Sequence, residues 1–163
     1  MDNLESYTRR NNIVIHGIPI QDDNNPIAVS LKVCEAIGVK LEANEIDAAH
    51  RLPKSKKLPE TTPPPFIMKL VSRFKKEEIV SMAKERQPTA ETLGGNVQTR
   101  IFFNDDLTRK NSEIKFEAKR LWNGYFVWSR RGKIYAREKS EDGKPTTIHQ
   151  INSKEDVNTL ERE

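Results

Sequence analysis

Only one cysteine, Cys34, occurs in the 163 residues, so no disulfide can form within the chain. That fits a reducing compartment, and the cytoplasm, together with the nucleus, is the expected location. No run of 18 apolar residues occurs, which excludes a membrane-spanning helix and predicts no membrane partner. The opening stretch "MDNLESYTRRNN" lacks the apolar centre of a signal peptide. Aromatic residues make up only 7% and hydrophobic residues 35%. A chain of this length holds one ordinary domain or two small ones, so any core is lean. Ile, Val, Leu and Phe nevertheless recur in periodic blocks, which a disordered chain lacks.

The signatures of catalysis are also missing. There is no Walker loop, no GxGxxG and no HExxH. The "RRGK" stretch lacks the spaced glycines that cradle a nucleotide phosphate. His16, His50 and His149 lie far apart and make no ligand spacing with Cys34. The chain is therefore read as a binder and not as an enzyme, with no cofactor and no metal.

What is abundant is local positive charge. The formal net charge is only +4, but it is unevenly divided. From Met1 to Ala49 four basic residues face eight acidic ones. From His50 to Lys76 there are eight basic residues (Arg51, Lys54, Lys56, Lys57, Lys69, Arg73, Lys75, Lys76) against Glu60 alone. From Lys119 to Lys139 seven (Lys119, Arg120, Arg130, Arg131, Lys133, Arg137, Lys139) stand against Glu138. A single lysine-rich loop is commonly just solvated surface. Two such segments, one interleaved with aromatics, point to a polyanion.

The element pattern predicts an α+β chain. "NNIVIHGIP" reads as a strand, and "DDNNP" after it as a loop. Asn25 caps a helix with Pro26 at its first position, Ile27, Leu31 and Cys34 form its stripe, and Gly38 ends it. "EIDAAHRLP" is a second strand, Pro53 to Pro65 an irregular loop, and "FIMKLVS" a third strand. Ser72 caps a helix from about Phe74 to Arg86, with Ile79, Met82 and Ala83 on one face, and "TRIFFN" is a fourth strand. This β-α-β-β-α-β order is ferredoxin-like, the arrangement of RNA-recognition domains. The chain then restarts. Asn104 caps a helix, with Asp105 and Asp106 at its positive end and Leu107, Ile114, Ala118 and Leu121 as its buried stripe. "YFVW", "GKIYAR" and "TTIHQI" follow as three strands, and Ser153 with Asp156 marks a last helix. The expected layout is an N-terminal stub at 1–10, an RNA-recognition-like domain at 11–103 and a small C-terminal nucleic-acid-binding domain at 104–163.

Within "YFVWSRRGKIYAR", alternation places Trp128 and Arg130 on one face, with Tyr135 or Arg137 as further members. Aromatic faces stack on unpaired bases, and arginines and lysines such as Arg131 and Lys133 contact phosphates. The alternative is that Phe126, Trp128 and Tyr135 fill a small core. In "HRLPKSKKLPETTPPP", Arg51, Lys54, Lys56 and Lys57 are expected to reach phosphates without reading sequence, and Lys69 and Arg73 extend that basic segment. The third strand lacks the aromatic signature of ordinary RNA-recognition motifs, and the first strand offers no exposed ring. Binding by that domain is therefore expected to be mainly to phosphates.

"LESYTRRNNIVIHGIP", "AHRLP", "PPFIMKLVSRFKKEEI" and "IFFNDDLTRKNSEIKFEAKRLW", followed by the basic hairpin, resemble first-open-reading-frame proteins of LINE-type retrotransposons. The likeness extends to the baculovirus few-polyhedra protein and its insect relatives. It spans about Leu4 to Leu160. The resemblance implies a protein that coats single-stranded RNA or DNA and acts as a nucleic-acid chaperone, the two domains gripping the strand. It implies contacts at Arg9, Arg10 and Asn12, at Arg109 and Lys110 in "DLTRKN", and an aromatic contact at Trp128. A basic residue that relatives place on the first strand is Val14 here. It also implies a homotrimer through an upstream coiled coil, of which "NLESYTRR" would be the remnant. The other reading is a virus- or transposon-derived structural factor that acts through protein contacts.

Overall fold

The structure, a computed structural model, describes residues 2–20 and 25–161. Most of the loop expected at "DDNNP" lies outside the described residues. The fold is α+β, with five helices and seven strands in two antiparallel sheets among the described residues. The chain divides into two compact units. One runs from Asn11 to Asn104. The other joins the N-terminal segment through Arg10 to everything from Asp105 on.

The N-terminal segment forms helix α1 (Asp2–Arg9). The Arg9 guanidinium pairs with Asp106 at 2.9 Å, and the Asn111 carboxamide donates to Ser6 Oγ at 3.5 Å. Residues read from sequence as a coiled-coil remnant thus group with the second unit.

In the first unit, β1 (Asn12–His16) buries Ile13 and Ile15 completely, as alternation requires. Helix α2 (Pro26–Ala36) begins where Asn25 Oδ1 accepts from the Ala28 amide at 3.2 Å. Its inward face differs from the expected stripe. Val29, Val33 and Cys34 are buried, while Ile27 and Leu31 only flank the core. The helix is turned so that Val29 and Val33, one turn apart, point in. Strands β2 (Ile46–Arg51) and β3 (Phe66–Leu70) pair antiparallel, and β3 pairs with β1 with Asn12 opposite Lys69. Helix α3 (Arg73–Arg86) is capped by Ser72 and buries Ile79 and Ala83. Strand β4 (Phe102–Asp105) completes the order β2-β3-β1-β4.

Gly17 follows β1 with φ +98°, and a β-carbon there would lie 2.6 Å from the Arg100 carbonyl oxygen. Gly17→Ala is expected to cost about 2 kcal/mol or more through backbone strain and this clash. A urea unfolding titration measures it, and an unchanged midpoint would contradict the packing.

In the second unit, helix α4 (Arg109–Leu121) starts later than expected. The cap is Thr108, whose Oγ1 accepts from the Asn111 amide at 3.2 Å, and not Asn104. Strand β4 runs to Asp105, so the residue that would follow an Asn104 cap at the first helical position is extended and cannot begin a helix. Ile114 and Ala118 are buried as the stripe requires, with Leu107 and Leu121 partly covered. Trp122, unnoticed in the sequence pattern, is also buried, and its indole donates to the Val157 carbonyl at 3.0 Å. Strands β5 (Tyr125–Arg130), β6 (Lys133–Glu138) and β7 (Ile148–Ile151) form a three-stranded sheet. Helix α5 (Lys154–Glu161) closes the unit. Ser153 Oγ accepts from the Asp156 amide, and the Asp156 carboxylate accepts from Asn152.

Candidate nucleic-acid interface

The β5–β6 register decides which side chains share a face. Tyr125 faces Glu138, Val127 faces Ala136 and Ser129 faces Ile134 on one side. Ile134, Ala136 and Ile151 are buried there in the cluster that includes Ile114 and Ala118 of α4. On the other side Phe126 faces Arg137, Trp128 faces Tyr135 and Arg130 faces Lys133. Three cross-strand rungs therefore share the outer face: ring with cation, ring with ring, cation with cation.

These rings are not core. Phe126 is 50% exposed, and Trp128 and Tyr135 are half-buried. The Trp128 and Tyr135 rings lie 5.9 Å apart between centroids with 24° between their planes. The Arg137 guanidinium sits 5.5 Å and the Lys139 ammonium 5.1 Å from the Phe126 ring centre. This unit buries only a small cluster, yet it keeps these three rings of the hairpin outside it. Burying a large apolar side chain stabilises by about 1.5–3 kcal/mol, so their placement forgoes stability.

The tip of the hairpin is also strained. Arg131 (φ +54°) and Gly132 (φ +78°) form its two-residue turn. Such turns favour Asn, Asp or Gly at the first position. The Asn111 side chain of α4 donates to the Gly132 carbonyl at 2.8 Å and ties the turn down. Further along, the Lys115 ammonium donates to Ser129 Oγ at 3.2 Å, and Ser129 donates to Asp105 at 2.8 Å. Arg130 and Lys133 are exposed, and among the described residues no carboxylate forms an ion pair with Arg130, Lys133 or Arg137.

The remaining expected contacts of this unit fare unevenly. Arg9 is engaged by Glu5 and Asp106, both at 2.9 Å. Arg10 lies 3.6 Å over the exposed Tyr7 ring. Arg109 is exposed and bonds Glu113 at 3.2 Å, and Lys110 is exposed.

The basic segment of the first unit is largely committed within the fold. The Arg51 guanidinium donates to the carbonyls of Ile18 (2.8 Å), Pro64 (2.9 Å) and Pro19 (2.8 Å), and so pins the end of the β2–β3 loop to the segment after β1. The Lys54 ammonium donates to the Pro59 and Glu60 carbonyls, both at 3.1 Å. Lys69 pairs with Asp47 at 3.6 Å, Lys75 with Glu45 and Glu78, and Lys76 is buried. Lys56, Lys57 and Arg73 remain exposed, Arg73 5.8 Å from the Phe74 ring centre. Asn12 sits on β1 opposite Lys69.

Two features bear on chemistry of other kinds. Burial pushes the Cys34 thiol up to about 12, so it stays protonated and is a poor nucleophile. Among the described residues no three His, Cys, Asp or Glu side chains gather as metal ligands, and no helix is long and apolar enough to cross a membrane. No protein-family model matches the chain, and no curated protein matches it.

Proposed function

We propose that the protein binds single-stranded RNA or DNA on the outer face of the β5–β7 sheet, with little sequence preference, and acts as a nucleic-acid chaperone. The observation that carries this reading is the set of three rungs, Phe126–Arg137, Trp128–Tyr135 and Arg130–Lys133, on one open face. A single strand presents flat bases and charged phosphates together. Rings stack on the bases at about 1–3 kcal/mol each, and cations contact the phosphates. A duplex hides its base faces and would leave the rings idle. Weak sequence selectivity, with many modest contacts, is what a chaperone that melts and re-pairs strands requires.

The β-α-β-β-α-β element order and the strand order β2-β3-β1-β4 support a ferredoxin-like, RNA-recognition-type arrangement for the first unit. With the motifs given above, they support a relationship to the LINE-type first-open-reading-frame proteins, and the single cysteine fits a cytoplasmic or nuclear site of action.

The test is a filter-binding titration of a single-stranded oligomer across salt concentrations. Four phosphate contacts, from Arg130, Arg131, Lys133 and Arg137, give a slope of log affinity on log salt of about −3 for a single strand. A fourfold rise in salt then weakens binding about 50-fold. A flat salt response would refute the phosphate contacts, and equal affinity for duplex would refute the stacking.

A further inference from the structure

We propose that the open face of the first sheet carries a second base-stacking site, centred on Phe102, that takes one unpaired nucleotide of a single strand. The proposal rests on the function proposed above and deepens it by adding a base-stacking contact in the unit whose first and third strands offer no stacking ring.

Alternation along β4 sends Phe103 into the core and turns Phe102 out, where it is 48% exposed. The guanidinium of Arg100 lies 4.9 Å from the Phe102 ring centre. Among the described residues no carboxylate forms an ion pair with Arg100. Asn104 is the next outward residue on β4, and β1 beside it turns Asn12, Val14 and His16 outward. Desolvation lowers the pKa of His16, so this strand adds polar edges without charge at neutral pH. The carboxylate of Asp47, on β2, is already matched by Lys69 of β3. A ring with an adjacent cation whose charge is not balanced by a carboxylate complements a flat ligand that carries a phosphate.

Magnitudes decide whether Arg100 blocks or serves the site. A cation over an exposed ring is worth about two- to fivefold in an equilibrium constant. A stacked base is worth about five- to 150-fold. A base therefore displaces the guanidinium from the ring, and Arg100 turns to the phosphate flanking that base. A duplex cannot use the site, because its bases are already stacked on both sides.

The experiment uses the full chain and two fluorescein-labelled probes, a short oligouridylate and an abasic oligomer of the same length. Phe102→Leu keeps apolar volume but removes the flat ring. It is expected to weaken oligouridylate binding about tenfold and to leave abasic binding unchanged. Irradiation of the wild-type complex with an oligomer carrying 5-iodouridine is expected to give an adduct on the peptide containing Phe102. Wild-type affinity in Phe102→Leu with no such adduct, while Trp128→Leu weakens binding, overturns this site and leaves the proposed function standing. Equal losses on both probes also overturn it, because the ring would then act only through the fold. Displacement of the oligomer by polyglutamate as effectively as by oligouridylate overturns it in favour of an acidic protein partner. A wild-type chain that binds neither probe overturns the site and the proposed function together.

Discussion

Alanine at Arg130 together with glycine at Arg131 is expected to lower affinity for single-stranded oligomers about tenfold at physiological salt. Each phosphate contact on a single strand contributes about 0.7 to the salt slope, so two flatten it by about 1.4. At physiological ionic strength that counterion share alone is a factor of about ten. Glycine is the informative choice at Arg131, because φ there is +54° and a β-carbon in that region is strained. Glycine relieves that backbone strain, and the unfolding temperature of the variant is measured beside its affinity. Lost affinity with retained stability assigns the effect to the charges. If the double variant binds as the parent does and with the same salt slope, the hairpin tip lies outside the interface.

How much of this was legible in the sequence depends on whether a residue's role is set by near or distant neighbours. The hairpin was legible, because "VWSRRGKIYARE" carries its alternation and its turn in twelve consecutive residues. Trp128, Arg130, Tyr135 and Arg137 share a face by register alone. The Ile114–Ala118 stripe was legible for the same reason. Roles that depend on distant carbonyls were not. Arg51 looks like its lysine neighbours in sequence, but its partners Ile18 and Pro19 lie more than thirty residues earlier. Phe102 was hidden by its context, since "TRIFFN" reads as a strand without marking which of its two rings faces out, and only the burial along β4 shows it. Asn104 and Thr108 are both good caps in "NDDLTRKN", and the choice between them rests on how far β4 runs. Asn111 gave no signal at all, because its link to the Gly132 carbonyl exists only after α4 and the hairpin have packed.

The cation rung at the tip gives the sharpest separation of folding from binding. Arg130 and Lys133 stand directly opposite each other, and like charges so placed destabilise a sheet pair. Lys133→Glu replaces that repulsion with an opposite-charge pair. The protein is expected to gain about 1 kcal/mol of stability, read as a raised urea midpoint. Binding is expected to weaken well beyond the effect of a neutral substitution, since one phosphate contact is removed and a carboxylate is set against the strand. The introduced carboxylate would also hold the Arg130 guanidinium that otherwise reaches a phosphate. A structural hairpin predicts the gain in stability without the loss in binding. A mispaired hairpin predicts neither. Only a tip whose repulsion is maintained for a polyanion predicts both together, and this outcome would tie the destabilising rung to the ligand that relieves it.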